Sequence, residues 1–160
     1  LTMPTGVLAQ EQRIAFVNVS YLVDNSPQAE AASAQLQDKF GPQQQKLQQQ
    51  QQEFQQLQQK LEKDSLVMSE SERSESKQRL QQLGREIQRG QKSFRDALNK
   101  ERNAALQQVR EVVMSTVQDI AREEGYDLVV GQGAIYASES VNITKQVLEQ
   151  MKTRFESQSE

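Results

Sequence analysis

The sequence contains no cysteine, no histidine and no tryptophan, and only 5% of its 160 residues are aromatic. Without cysteine and histidine it has no zinc site of the sulfur–nitrogen kind, no thiol nucleophile and no Ser-His-Asp arrangement. It has no apolar run of about 18 residues that would predict a membrane-spanning helix. It also shows no glycine-rich phosphate loop and no cluster of ligand residues. We therefore predict neither an enzyme nor a metal or cofactor site.

Apolar residues are also scarce, at 35% of the chain against 26% charged residues. That fraction is too low for an ordinary globular core of this length. Glutamine is unusually frequent. The chain has 29 glutamines, and 12 of them lie within positions 43–59. We expect an elongated chain, or one that buries its apolar residues against another copy of itself.

The first residues contain a short pattern that has two interpretations. Val7-Leu8-Ala9 before Gln10 has the small-residue spacing that is typical of a signal-peptidase site. Residues 1–12 are therefore predicted to be either a disordered tail or a signal-peptide remnant.

Short runs rich in β-branched residues lie near both ends of the chain, at residues 13–19 and 126–130, and residues 134–137 follow the second run at hairpin distance. Both alternating faces of the first run are apolar, which predicts a strand covered on both sides. A body of three short strands is marginal alone, and its free edges favour pairing between copies. The predicted oligomerisation residues are Ile14, Phe16, Val17, Leu128, Val130 and Ile135.

The intervening sequence predicts two long helices. In the first, apolar residues recur every seven positions at Phe40, Leu47, Phe54, Leu61 and Met68. The companion column of this heptad is mostly polar, so the predicted seam is thin. Gly41-Pro42 is predicted to interrupt this helix and act as a hinge. The second helix is predicted over residues 70–124, with Ser69 to Glu72 as its capping box and Gly125 as its C-cap.

These elements define a fold class of α+β, mostly α. We predict a small three-strand body that self-associates, formed by residues 13–40 and 106–160. Its last segment, from residue 142 to about 155, is predicted to be an amphipathic helix. An antiparallel helical hairpin, a coiled-coil-like arm, is expected to project from this body over residues 41–105. Its tip is expected near residues 65–69.

Positive charge is concentrated on the second long helix, where residues 73–110 hold 10 basic and 4 acidic groups. At about 100° per residue, Arg85, Arg89 and Lys92 lie opposite the apolar seam, and Arg95 and Arg102 flank them. Such a stripe has two interpretations, a solvated helix face or a binding surface for acidic partners. These five residues are the predicted binding residues.

Three segments of the sequence resemble the Skp/OmpH family of periplasmic chaperones. They are Arg13-Ile14-Ala15-Phe16-Val17-Asn18, Tyr126-Asp127-Leu128-Val129-Val130 and Val141-Asn142-Ile143-Thr144-Lys145-Gln146-Val147-Leu148, and Phe40-Gly41 falls where the family's arm begins. The resemblance implies a homotrimer whose arms enclose a cavity. It implies an ATP-independent holdase in the periplasm, which keeps unfolded outer-membrane β-barrel proteins from aggregating. It also implies possible contact with a membrane surface or lipopolysaccharide.

A different class of protein remains open from the residues alone. The heptad column could build a permanent coiled coil, which would make the chain a structural or tethering protein of the cell envelope. Nucleic-acid binding is disfavoured, because the net charge is −3 and no aromatic residues are interleaved with the basic stripe.

Overall fold

The structure is a computed structural model that describes residues 11–158; most of the predicted N-terminal tail lies outside the described residues. The elements in chain order are β1 (Ile14–Phe16), α1 (Val19–Asn25), α2 (Pro27–Asp64), α3 (Glu70–Glu124), β2 (Leu128–Val130) and α4 (Thr144–Gln158). A short 3₁₀ turn at Glu139–Val141 precedes α4. Helix dominates over strand, which confirms the predicted α+β, mostly α class.

The chain divides into two compact units. Among the described residues, the sheet unit combines residues 11–31 with residues 105–158, and it holds β1, α1, β2, α4 and the end of α3. The hairpin unit is Ala32–Ala104, and it holds most of α2 and the first part of α3.

The sheet of the sheet unit is parallel, although its two strands lie far apart in sequence. Ile14 pairs with Leu128 and Phe16 pairs with Val130. The ladder is extended by the Val17 amide, which donates to the Val130 carbonyl at 2.9 Å. Residues distant in the chain are therefore joined at this ladder, as the sequence pattern predicted.

The prediction of a third strand at residues 134–137 is wrong, because the described part of the chain forms a two-stranded sheet. Ile135 and Tyr136 lie on the surface, so they have no core to pack against. Beyond β1, the chain meets residues near the start of α4 instead. Phe16 forms an isolated bridge with Asn142, and its carbonyl accepts from the Ile143 amide at 2.9 Å.

Helix α1 replaces the last part of the predicted first strand. The Asn18 side-chain oxygen accepts from the Tyr21 amide at 3.0 Å, which caps the helix directly after the strand. This capping bond overrides the β-propensity of Val19. The Asn18 amide in turn donates to the Thr144 hydroxyl at 2.9 Å, which ties the start of α1 to the start of α4.

The core of the sheet unit is well buried. Its largest fully buried apolar side chains are Leu22, Val113, Val147 and Met151, and Ala15, Val17, Val23, Val109, Val117, Ile120 and Ile143 complete the buried apolar set. Thr116 is a polar residue inside this core, and its hydroxyl has hydrogen-bond partners there. The hydroxyl donates to the Val112 carbonyl at 2.7 Å and accepts from Arg154 at 3.1 Å. Arg154 also forms an ion pair with Asp119. A helical stripe of α3 and the inner face of α4 therefore share one packed interior.

The ends of α3 confirm the predicted helix limits. The Glu72 amide donates to the Ser69 hydroxyl at 3.2 Å, while the Ser69 amide donates to the Glu72 carboxylate at 3.0 Å. This reciprocal pair is a capping box. At the other end Gly125 has a φ of 70°, the left-handed conformation that ends helices and that glycine adopts without strain.

Helix α2 corrects the expectation of a break at Gly41-Pro42, because the helix runs through both residues to Asp64. Proline removes a single backbone donor, and the hydrogen bonds on either side of it maintain the helix. A hinge at Gly41 and Pro42 stays a prediction.

Candidate functional site

The seam between α2 and α3 in the hairpin unit is thin. Phe40 packs edge-to-face on Phe94, with ring centroids 5.9 Å apart and planes at 85°. Among the apolar residues of this unit, Phe40 and Leu83 are buried, whereas Leu47, Phe54 and the others of the heptad column remain partly exposed. The hairpin unit is therefore held by a row of contacts rather than by a packed interior.

Two glycines within α3 allow the seam to close. A Cβ atom on Gly90 would lie 2.7 Å from Cδ2 of Leu47, and one on Gly84 would lie 3.3 Å from Cε2 of Phe54. A glycine inside a helix costs about 1 kcal/mol relative to alanine. Here the cost is offset because each glycine provides a recess for one apolar side chain of α2.

Polar contacts across the seam are few, and its two ion pairs are exposed. Lys39 pairs with Glu101 at 3.0 Å and Arg79 pairs with Glu53 at 2.8 Å, and all four side chains are at least 41% exposed. Near the tip, Arg73 donates to the Ser65 carbonyl. Exposed ion pairs contribute roughly 0–1 kcal/mol each, so they fix the register of the hairpin more than its stability.

The predicted basic stripe lies on the surface of the hairpin unit. All five residues, Arg85, Arg89, Lys92, Arg95 and Arg102, are exposed. Unlike Lys39 and Arg79, none of them forms an ion pair with a carboxylate of residues 11–158. Their charges are therefore available to a partner. Whether they bind one stays a prediction.

An open groove beside the stripe is a part of the site that the sequence pattern did not reveal. It has a volume of about 570 Å³ and lies between residues 42–50 of α2 and residues 86–90 of α3. Arg89 belongs to both the stripe and the groove wall. The signal that could have revealed the groove is Gly90, a glycine with no local turn to explain it.

A second groove of the hairpin unit, of about 460 Å³, is lined by Gln51, Phe54, Gln55, Gly84 and Ile87. None of these lining residues is charged. The two grooves therefore differ in charge while both contain an apolar residue packed near a glycine.

The predicted oligomerisation residues fall into three groups by exposure. Ile14 and Leu128, which are partners in the β ladder, are 46% and 52% exposed, and Ile135 is fully exposed. Phe16 and Val130 are partly exposed, whereas Val17 is buried in the core of its own chain. The exposed group is free to meet another copy, while Val17 supports the sheet from inside.

Metal sites and membrane-spanning helices are two other kinds of feature that bear on function. Within residues 11–158 no cluster of three or more acidic side chains that could hold a metal ion occurs. None of the helices in that range combines the length and the apolar character needed to cross a membrane.

The same arrangement of long helices and small sheet occurs in a solved structure, described as a putative OmpH-like outer membrane chaperone from Caulobacter crescentus CB15. The TM-score is 0.77 at 14% sequence identity, and the match covers 91% of this chain and 86% of that one. At this identity the likeness establishes the fold.

Sequence comparison adds relatives that are named as chaperones. Chaperone protein Skp of Yersinia enterocolitica is 31% identical over 158 residues, covering 95% of this chain and 93% of that protein. Chaperone protein Skp of Pectobacterium atrosepticum is 31% identical over 145 residues, with 88% and 86% covered. A Skp-like protein of Pseudomonas aeruginosa is 27% identical over 142 residues, with 88% and 84% covered.

These relatives define the class of the protein, a chaperone rather than an enzyme. The family described as Outer membrane protein (OmpH-like) matches residues 13–151. The chain belongs to this family, which confirms the resemblance seen in the sequence.

Proposed function

We propose that the protein is an ATP-independent periplasmic holdase. It binds unfolded outer-membrane β-barrel proteins in a cavity between the hairpin units of a homotrimer, and it prevents their aggregation. The family membership supports the chaperone class, and the surface of the hairpin unit supports the mode of binding.

The observation that carries this proposal is the unpaired basic stripe on a thinly packed hairpin. A holdase that does not use ATP must bind clients of many different sequences and release them again. This requires many weak contacts rather than one deep pocket. Arg85, Arg89 and Lys92 offer such contacts because their charges are exposed and have no carboxylate partner among residues 11–158. The grooves beside the seam offer apolar contacts of small area.

The sheet unit supports self-association. A two-stranded sheet is marginal by itself, and its free edge can pair with another chain. Ile14 and Leu128 lie side by side in the ladder and expose about half of their surfaces. Covering them against other copies would remove this apolar area from water.

The function is tested by aggregation of a β-barrel membrane protein that is diluted from denaturant without ATP. We expect the chain to suppress light scattering when it is present in stoichiometric amounts. A tethering or purely structural protein would leave the scattering unchanged, and that result would refute the proposal.

The role of the stripe is tested by changing Arg85 and Lys92 to Gln together. The matched control changes Arg110 and Lys145, which are exposed residues of the sheet unit, and it removes the same charge. We expect weaker client binding and a smaller salt dependence for the stripe variant alone. Equal behaviour of the two variants would mean that the stripe is only a solvated face.

The trimer is tested by the molar mass in solution, for which we expect three times that of the chain. Ile14→Glu is expected to lower the mass because it places a charge on the proposed interface. Val67→Glu is the matched control, since Val67 is 84% exposed at the turn between α2 and α3. A monomeric wild type, or dissociation by both variants, would contradict the proposed interface.

Contact of the protein with a membrane surface or lipopolysaccharide stays a prediction. Co-sedimentation with anionic and with zwitterionic vesicles distinguishes it from client binding, because only the anionic vesicles should carry down the protein.

A further inference from the structure

The groove between α2 and α3 in the hairpin unit has an apolar floor. Pro42, Leu47 and Gly90 form this floor, and the absence of a side chain at Gly90 lets Leu47 lie against the backbone of α3. The volume of about 570 Å³ is within the roughly 300–1,000 Å³ that is usual for ligand clefts. An apolar side chain of a partner could therefore be received there.

The wall of the groove is charged, and its charged groups differ in whether they have a partner within the described residues. It contains Lys46 and Arg89 against the single acid Glu86, a balance of two positive charges and one negative. The Glu86 carboxylate accepts from the side-chain amides of Gln82 at 2.9 Å and Gln50 at 3.5 Å. Neither cation has an ion-pair partner within the described residues, so Lys46 and Arg89 are the groups free to bind a ligand.

We propose that this groove is a client subsite for an extended segment in which a large apolar side chain lies two residues from an aspartate or glutamate. Residues i and i+2 of an extended chain point to the same side, roughly 6.5 Å apart. The apolar side chain then contacts Pro42 and Leu47, while the carboxylate binds both Lys46 and Arg89. This inference rests on the proposed holdase function and assigns it a place on the chain.

The uncharged groove around Phe54 and Gly84 is an internal control. It also lies beside an apolar residue packed near a glycine, but Gln51 and Gln55 take the places of charged residues on its wall. A partner that binds by apolar contact alone would use both grooves. A partner that needs a cation as well would use only the groove at Lys46 and Arg89.

The sequence has no cysteine, so single cysteines can report on each groove in the full chain. Gln43→Cys places an environment-sensitive fluorophore at the charged groove, and Gln55→Cys places it at the uncharged groove. The probe is a nine-residue peptide with repeated Phe-Ser-Glu spacing. Control peptides carry Lys in place of Glu, or Ser in place of Phe.

We expect the Phe-Ser-Glu peptide to shift the emission of the label at position 43 and leave the label at 55 unchanged. Both control peptides should bind at least about 5-fold more weakly, the effect of one partly desolvated charge pair or apolar contact. Equal responses at the two positions, equal binding of the Lys peptide, or no response at 43 would overturn the proposal.

Lys46→Gln separates the groove from the basic stripe, because Lys46 lies on α2 and the stripe lies on α3. Lys60→Gln is its matched control, an exposed lysine of the same helix that is not part of this groove. We expect Lys46→Gln to weaken peptide binding about 3- to 5-fold and Lys60→Gln to leave it unchanged. Identical affinities of both variants would overturn the proposal.

The failure of this inference can be told apart from failure of the proposed function. Suppression of aggregation by a wild type whose label at position 43 does not respond means that the chain is a holdase without this subsite. If the label at position 43 responds but the protein does not suppress aggregation, the groove binds the peptide and the proposed holdase function is refuted.

Discussion

The two units of the chain bury their apolar residues in different ways. In the sheet unit, side chains from β1, α1, α3 and α4 meet in one interior, where Leu22, Val113, Val147 and Met151 are 0% exposed. In the hairpin unit, the buried apolar residues are Phe40 and Leu83, and the rest of the seam is partly open. The same chain therefore combines a packed core with a single row of contacts.

The difference between the two units explains how a polar sequence can serve as a chaperone. Glutamines fill the outer positions of α2, so the hairpin unit stays in water without a large buried interior. Its stability then depends on a few residues, and its grooves and charges remain accessible. The sheet unit supplies the packed core and the exposed edge that we propose for assembly.

The largest effect is expected in the core of the sheet unit. Leu22→Ala removes a fully buried side chain and should lower the free energy of unfolding by about 2–5 kcal/mol. Chemical denaturation followed by circular dichroism, at fixed chain concentration, measures this loss. A cost as small as that of an exposed position would mean that the sheet unit is not the packed part of the chain.

In the hairpin unit we expect a smaller loss of stability than in the sheet unit, and we expect it at one position of the seam only. Leu83→Ala should cost about 2–3 kcal/mol because Leu83 is fully buried, whereas Leu61→Ala should cost less than about 1 kcal/mol because Leu61 remains partly exposed. Hydrogen exchange of α2 amides resolves the two variants. Equal costs would contradict the uneven burial along the seam.

The glycines of the hairpin unit should respond in opposite ways. A Cβ atom on Gly41 would have no atom within 4 Å, so Gly41→Ala should stabilise α2 by about 1 kcal/mol. Gly90→Ala should show no such gain, since its Cβ would meet Leu47 at 2.7 Å. Combining Gly90→Ala with Leu47→Ala tests the contact in a double-mutant cycle. Additive effects would mean that Leu47 does not use the recess.

The hinge predicted at Gly41 and Pro42 can be tested in the same region. Replacing both residues with Ala should stiffen the helix and narrow the distribution of shapes seen by solution X-ray scattering. An unchanged scattering profile would argue against a hinge at these residues.

The smallest effect is expected at the capping box of α3. The backbone amide and the hydroxyl of Ser69 hold the pKa of Glu72 below its ordinary value. A lowered pKa stabilises the fold above the ordinary pKa of the carboxyl, and this contribution is lost as the pH falls through the folded-state pKa. Ser69→Ala should raise the Glu72 pKa in an NMR titration, while Ser71→Ala should leave it unchanged.

The sequence predicted the helices of this fold better than its sheet. The limits of α3 followed from local signals, Ser69 to Glu72 and Gly125, and these signals act through adjacent backbone groups. The third strand was wrong because apolar runs do not reveal whether a core exists to receive them. Ile135 has the composition of a strand residue but lies on the surface.

For the candidate site, the sequence predicted the basic stripe but did not predict the groove. Arg85, Arg89 and Lys92 share one face because helix periodicity dictates it. The groove depends on how α2 and α3 lie side by side, and therefore on which side chain of α2 meets Gly90. That pairing is a tertiary contact, which no local pattern contains.

The hairpin unit, not the packed sheet unit, is the part of the chain that we propose holds the client. Hydrogen exchange measured by mass spectrometry, with and without an unfolded β-barrel protein, tests this claim most directly. We predict slower exchange in residues 42–50 and 85–102 and unchanged exchange in α1 and α4. Slower exchange in α1 and α4 alone, or no change in the hairpin unit, would contradict the claim.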